Sequence, residues 1–442
     1  MQQPQAQPAE KFSEKFTDHA VNGVNPTEQT ADFVAAHRTE DVRQLALKAK
    51  RVEGLDLPLA LDQIAGWQIA CKKLPQWASC EGIIYPPHIS MEQCSSQFTA
   101  QYKSEIAQTL LTPAVTVRAR MSDSPESDTL VARSSMVDLT GGFGVDFSYL
   151  ARGFSQATYV ERQWHLCDLA EHNMAALGLD QARIVCGDGV EYLRQMGPVD
   201  FIYLDPARRD EHGSRTYAIE DCTPNVLELR DLLLAKSQCT LVKLSPMLDW
   251  RKAVADFDGT VREVHIVATG NECKELLLVL GQQVHEEPSA PRVFCVNDNQ
   301  RIDYDSAAYT QGLRIGGKPL PEAKNYLYEP NASIMKAGCF DLVEERFGVT
   351  QVGPSSHLFV SATPVADFPG RGFAIEAIGG MNKKDIKRLL NGTKQANIAV
   401  RNFPLTAPQL RKKLKLADGG PVYLFGTTMQ GCDHVLLCTS KI

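Results

Sequence analysis

Two short stretches of this chain hold the residues best suited to chemistry. Asp138-Leu139-Thr140-Gly141-Gly142-Phe143-Gly144-Val145-Asp146 is followed about sixty residues later by Asp205-Pro206-Ala207-Arg208. Each comes directly after an apolar run, Met136-Val137 before the first and Asp200-Phe201-Ile202-Tyr203-Leu204 before the second. Each therefore reads as a loop leaving the carboxyl end of a buried strand, which is where open α/β sheets bind ligands. The glycines let the first loop approach a ligand with no Cβ in the way, and Val145 to Arg152 reads as a helix aiming its first N–H groups at the same spot. A dinucleotide fits badly. A G-x-G-x-x-G run starting at Gly142 would need its third glycine at Phe147, and an acid, Asp138, stands ahead of the glycines. A dinucleotide pyrophosphate is anionic, whereas the amino-acid end of S-adenosylmethionine carries an ammonium and a sulfonium that favour nearby carboxylates. Asp138 and Asp146 thus argue for the methyl donor.

The elements that must position these loops follow in order. Ala157 to Glu161 is a short strand ending in an acid suited to both ribose hydroxyls, and Arg183 to Asp188 is another, whose Asp188 can accept from an adenine amine. The fifth and sixth strands are Cys239 to Leu244, after a helix at Pro224 to Lys236, and Val261 to Ala268. A seventh, Lys274 to Leu280, is joined to the sixth only by Thr269 to Cys273, too short for a crossover helix, so the two must be antiparallel. That turn also places Gly270 to Cys273 at the carboxyl edge, beside the substrate.

From residue 130 to 283 the chain resembles the class I S-adenosylmethionine-dependent methyltransferases. The resemblance implies a Rossmann-like α/β fold built on a seven-stranded sheet, with S-adenosylmethionine as cofactor. It assigns donor contacts to Gly141, Gly142, Gly144, Glu161 and Asp188, with Asp138, Thr140, Asp146 and Gly189 completing the expected donor set. The bland reading of each acid taken alone is a helix cap or a solvated charge; three acids ending three successive strands argue against it.

Asp205-Pro206-Ala207-Arg208 resembles the Asp/Asn-Pro-Pro-aromatic motif of methyltransferases acting on base nitrogens. In that motif the acid and a backbone carbonyl beside proline accept hydrogen bonds from the amine, a positioning and electrostatic role. Asp205, Pro206 and Arg208 are the expected catalytic residues. Alanine replaces the second proline, and Arg208 stands where an aromatic would stack; a guanidinium can stack on a base or hold a phosphate, or Arg208-Arg209-Asp210 is a solvated loop end. Carbon methylation of uracil uses a related Asp-Pro-Pro-Arg motif but needs a cysteine nucleophile. Cys239 begins the fifth strand, at the wrong end of the sheet, and Cys222 has no base beside it, so nitrogen methylation is preferred.

The remainder of the sequence frames this core. With 442 residues, 43% hydrophobic and 22% charged, the chain is long enough for two or three domains, and its net charge of −7 leaves only local contact with a polyanion. The twelve cysteines form no C-x-x-C pair, so no metal site is expected and the thiols read as reduced. No signal-peptide core or membrane-length apolar run is visible, and a cytoplasmic protein is expected. Residues 1–30 read as a flexible terminus and 31–120 as a helical domain. Its expected helices begin at an N-cap on Thr39, run from Leu59 to Lys73, and run from a Ser90/Gln93 capping box to about Leu110. His88, in the Pro86-Pro87 loop, reads as structural, or as a substrate contact. A mobile connection at Met121 to Asp128 leads into the methyltransferase domain, 121–283.

A composition shift at Glu286 to Pro291 opens a smaller α/β domain, 284–442, with expected elements at Phe373 to Ile378, Lys383 to Leu390, Ala396 to Arg401, Ala407 to Leu414, Val422 to Thr427 and His434 to Cys438. Between Arg371 and Lys415 eleven cations face two acids, the pattern of a nucleic-acid docking module or of two solvated helix faces; Lys383, Lys384, Arg411 and Lys412 are the expected RNA contacts. Gly82 to Ser90, the glycine loop, Leu204 to Arg209, Gly270 to Leu277, Tyr328 to Ala332 and Leu405 to Leu416 together resemble a bacterial group of class I methyltransferases with a THUMP-like C-terminal domain. THUMP domains bind RNA in tRNA-modifying enzymes, so the resemblance implies structured RNA, tRNA or rRNA, as partner, and neither DNA nor membrane. A methyltransferase of a small molecule or protein, or a non-catalytic RNA-binding relative, are the alternatives; oligomeric state is not legible.

Overall fold

The computed structural model describes residues 26–48, 53–121, 134–208, 218–281, 290–309, 320–321, 324–431 and 434–442. Residues 1–25 of the expected flexible terminus, Ser122 to Asp128 of the expected connection, Arg209-Asp210 and Glu286 to Ser289 of the expected boundary lie outside the described residues. The chain divides into two compact units, residues 1–205 with 235–238, and residues 206–234 with 239–442.

The first unit begins with helices α1 (Glu28–His37), α2 (Val42–Lys48), α3 (Leu57–Lys73), α4 (Pro75–Ser79), α5 (His88–Gln93) and α6 (Gln97–Met121). The Asp41 carboxylate, not Thr39, receives the Gln44 N–H at 2.9 Å, and Asp56 caps α3. The third expected helix is two. Cys94 adopts extended backbone after α5, and the Ser96 hydroxyl accepts the Thr99 N–H at 3.2 Å to start α6 afresh, so Ser90 lies inside α5 and caps nothing. His88 is exposed on α5, 3.7 Å from Glu92 one turn on.

Four strands of this unit then alternate with helices: β1 (Ser135–Asp138), α7 (Val145–Leu150), β2 (Gln156–Glu161), α8 (Trp164–Ala176), β3 (Ala182–Cys186), α9 (Gly189–Gln195) and β4 (Val199–Leu204). The pairings β4-β1, β1-β2 and β2-β3 are all parallel, as right-handed strand-helix-strand crossovers require. Helix α6 packs on α7.

In the second unit α10 (Val226–Lys236, which runs into the first), β5 (Ser237–Leu244), α11 (Trp250–Asp256), β6 (Val261–Thr269) and β7 (Glu272–Gly281) follow. Strand β7 lies between β5 and β6 and is antiparallel to both, as the short Thr269 to Cys273 turn demands. The sheet has nine strands, not the expected seven. The chain past β7 returns to it: β8 (Arg292–Asn297) pairs parallel with β6, and β9 (Gln300–Asp305) folds back on β8, hiding Val293, Cys295, Val296, Ile302 and Tyr304.

A separate seven-stranded sheet forms from β10 (Tyr326–Pro330), β11 (Thr350–Gln351), β12 (Phe359–Ser361), β13 (Gly370–Gly379), β14 (Asn397–Arg401), β15 (Val422–Thr428) and β16 (His434–Lys441), in the order β11-β12-β10-β13-β16-β15-β14. Helices α12 (Ala332–Ala337) and α13 (Phe340–Phe347) follow β10, while α14 (Lys383–Leu390) and α15 (Ala407–Leu414) bury Leu389, Leu410 and Leu414 in a core with Leu424 and Leu436. No described helix is long and apolar enough to cross a membrane.

Candidate functional site

The glycine loop leaves β1 through Asp138, which is 1% exposed. Its carboxylate accepts the Thr140 N–H at 2.9 Å and the Thr140 hydroxyl at 3.3 Å. Burial pushes this carboxyl up to about 8; Asp146 and Asp205 push the same way, and the Thr140 hydrogen bonds pull against them. The Thr140 hydroxyl in turn accepts the Asp205 N–H at 2.7 Å. One threonine therefore ties the first loop to the residue that opens the second.

Steric fit explains the glycines. A Cβ on Gly141 would sit 2.2 Å from the Tyr159 ring, whereas one on Gly142 would meet only the Thr140 carbonyl at 3.8 Å. Gly142 and Gly144 have φ of 55° and 84°, backbone that L side chains rarely adopt. A Cβ on Gly189 would come 2.1 Å from the Leu139 carbonyl, so the start of α9 is pressed against the loop. The Tyr159 hydroxyl donates to the Gly142 carbonyl.

Glu161 ends β2 and accepts the Gly142 N–H at 3.0 Å with one oxygen and the Gln163 N–H at 2.9 Å with the other. Each carboxylate oxygen has two acceptor sites, so this leaves Glu161 capacity for a ligand. Asp188 caps α9, one oxygen taking the Val190 and Glu191 N–H groups at 2.9 and 3.0 Å. Asp146, in the first turn of α7, turns its carboxylate to Lys103, Ser95 and Tyr203. Those three had no signal in the sequence: a lysine in a helical pattern looks like a surface residue, and only the fold brings it to an acid 43 positions away.

The first unit thus gathers Asp138, Thr140, Gly141, Gly142, Gly144, Glu161, Gly189 and Asp205 around one loop, with an open face over Gly142. Oriented carboxylates beside an uncovered glycine backbone fit a ligand with hydroxyls and positive charge, as the amino-acid and ribose ends of S-adenosylmethionine have. Pro206 is buried, and Ala207-Arg208 pairs with Cys222-Thr223 in a short ladder. Cys222 and Cys239 are buried, and burial pushes the Cys239 thiol up. The Gly270-Asn271 turn is committed within its own unit, Gly270 to the Asp298 carboxylate and Asn271 to the Ala332 N–H.

The predicted RNA contacts lie on the C-terminal sheet's two covering helices. Lys383, Lys384 and Lys412 are exposed, and Arg411 pairs with Asp418. Arg371 and Arg401 both reach the buried Glu329, so part of the cationic excess is paired with an acid of the same sheet.

A family model described as a ferredoxin-like domain matches residues 326–369, and one described as THUMP domain-like matches residues 370–441. The crystal structure of a candidate methyltransferase from Porphyromonas gingivalis W83 is 31% identical, covers 93% of this chain and 97% of its own, and superposes with a TM-score of 0.77. An O-methyltransferase from Bacillus cereus in complex with SAH (10% identity, 57% of this chain, all of its own, TM-score 0.32) and a candidate RNA methyltransferase from Pyrococcus horikoshii (12%, 50%, 98%, 0.31) are more distant. No curated protein matches. The chain belongs to the class I S-adenosylmethionine-dependent methyltransferases that carry a THUMP-like C-terminal domain.

Proposed function

We propose that this protein methylates a base nitrogen in structured RNA, tRNA or rRNA. The observation that carries the reading is the Thr140 hydroxyl holding the Asp205 backbone 2.7 Å away while it donates to Asp138. That link fixes the distance between a loop suited to the methyl donor and a carboxylate suited to the acceptor. S-adenosylmethionine, when bound, supplies the electrophilic methyl group. Asp138, Thr140, Gly141, Gly142, Gly144, Glu161, Asp188 and Gly189 would hold it. Asp205 would accept a hydrogen bond from the acceptor N–H, concentrating the nitrogen lone pair toward the methyl; Pro206 stiffens the loop behind it. Arg208 would fix the base or a neighbouring phosphate. The burial of both Cys222 and Cys239 favours nitrogen over carbon methylation. The THUMP-like match at residues 370–441 and the exposed lysines of α14 and α15 favour RNA over a small molecule.

Asp205→Ala tests the assignment. Turnover should drop roughly 100- to 10,000-fold with donor affinity nearly intact, because the carboxylate acts on the acceptor in the transition state. A parallel fall in donor affinity would make Asp205 a donor ligand instead.

A further inference from the structure

Lysine is among the residues least often found inside a protein, yet the Lys103 side chain is 0% exposed. Its ammonium, reaching in from α6, lies 3.1 Å from Asp146 Oδ1 and donates to Ser95 Oγ at 3.1 Å. Asp146 Oδ2 accepts from Ser95 Oγ at 2.8 Å and from the Tyr203 hydroxyl at 2.7 Å. The cluster joins three places: the helical segment before the sheet, the first turn of α7 two residues past Gly144, and β4 two residues before Asp205. A buried ion pair seldom adds stability over apolar residues of the same volume, so fold stability does not explain this one. Its location does. Nearby, Trp77 of α4 donates to Ser148 of α7 at 3.2 Å and packs its ring 4.9 Å from Phe143 of the glycine loop, so the same helical segment grips the loop a second time.

We propose that Lys103 is a positioning residue for donor binding. By holding Asp146 against Tyr203 it fixes α7, and with it the glycine loop, relative to the strand that delivers Asp205. The helical segment then completes the donor site, and Asp146 acts through the loop rather than on the donor. This rests on the donor reading of the glycine loop and is independent of the RNA reading.

The test exchanges the pair for apolar residues of similar size, Lys103→Met with Asp146→Leu, and measures thermal melting and calorimetric binding of S-adenosylmethionine in the full chain. A double variant that melts like the parent but binds the donor at least about tenfold more weakly is the expected result. Parent-like melting with parent-like affinity overturns the proposal. Should the double variant not fold, Lys103→Gln, which removes the charge but keeps a donor beside Asp146, and Tyr203→Phe, which removes one hydrogen bond to Asp146, decide the matter. Weakening of about threefold or more at unchanged melting supports it, and unchanged affinity in both overturns it. A parent protein that binds no donor would sink the donor reading itself.

Discussion

On the proposed reading the glycine loop takes a small charged ligand and the basic C-terminal helices a polyanion, by opposite means. Around the loop the carboxylates are held in place: Asp138 by Thr140, Glu161 by the Gly142 N–H, Asp146 by Lys103 and Tyr203. On α14 and α15 the lysines stand in solvent, while the apolar sides are fixed through Leu389, Leu410 and Leu414. A small ligand needs acceptors fixed in advance, because each group left to be ordered costs binding energy. A polyanion is drawn by summed charge and tolerates mobile partners. The same contrast says how each region fails: the loop through geometry, the helices through salt.

Of the two regions, the helices should show the larger change in binding. Reversing Lys383, Lys384, Arg411 and Lys412 to glutamate should lower RNA affinity roughly 100-fold and shrink the salt slope by about one unit per lost phosphate contact, with Arg411 contributing least because Asp418 already pairs with it. Donor affinity should not change. An unaltered slope would reduce these cations to solvated helix faces and favour a small-molecule acceptor.

Next in size is Glu161→Ala, which removes the partner of the Gly142 N–H and, on the proposed reading, an acceptor for the donor. Donor binding should weaken by about 1 to 3 kcal/mol while RNA affinity holds. Calorimetry with S-adenosylmethionine reads this, and an unchanged constant would remove Glu161 from the donor site.

The smallest effect concerns pH. The Asp138 carboxyl sits at about 8 in the folded protein, against about 4 in an unfolded chain, so the folded state holds this proton more tightly. The resulting stability is fully present below about pH 4 and is lost as pH rises toward 8. Asp138→Asn removes the titration, so the variant's melting temperature should fall less than the parent's between about pH 5 and 8. Identical slopes would show that Asp138 carries its charge without penalty.

Where local rules agreed with the fold, the sequence was legible. Helices Lys383–Leu390 and Ala407–Leu414 have the bounds their pattern predicts, because Asn382 caps one and a Thr406/Gln409 capping box starts the other. The antiparallel β6-β7 pair followed from loop length alone. Long-range pairing was not legible. Strands β8 and β9 follow a stretch of boundary-like composition, and nothing local says that they rejoin the first sheet. The helix break at Cys94 to Ser96 was hidden because apolar spacing continues through it, and Thr39 was displaced as a cap by a better acceptor, Asp41. At the site, residue types and strand-end positions were readable, but their partners Lys103, Ser95 and Tyr203 were not, since burial of a lysine depends on what lies across the interface.

Methylation of a base nitrogen in RNA is read most directly by incubating the full chain with methyl-labelled S-adenosylmethionine and unmodified total RNA, then digesting the RNA to nucleosides. Label is expected in an N-methylated guanosine or adenosine, and is lost in Asp205→Ala. Label on a pyrimidine carbon, or none in RNA while the donor binds normally, would contradict it.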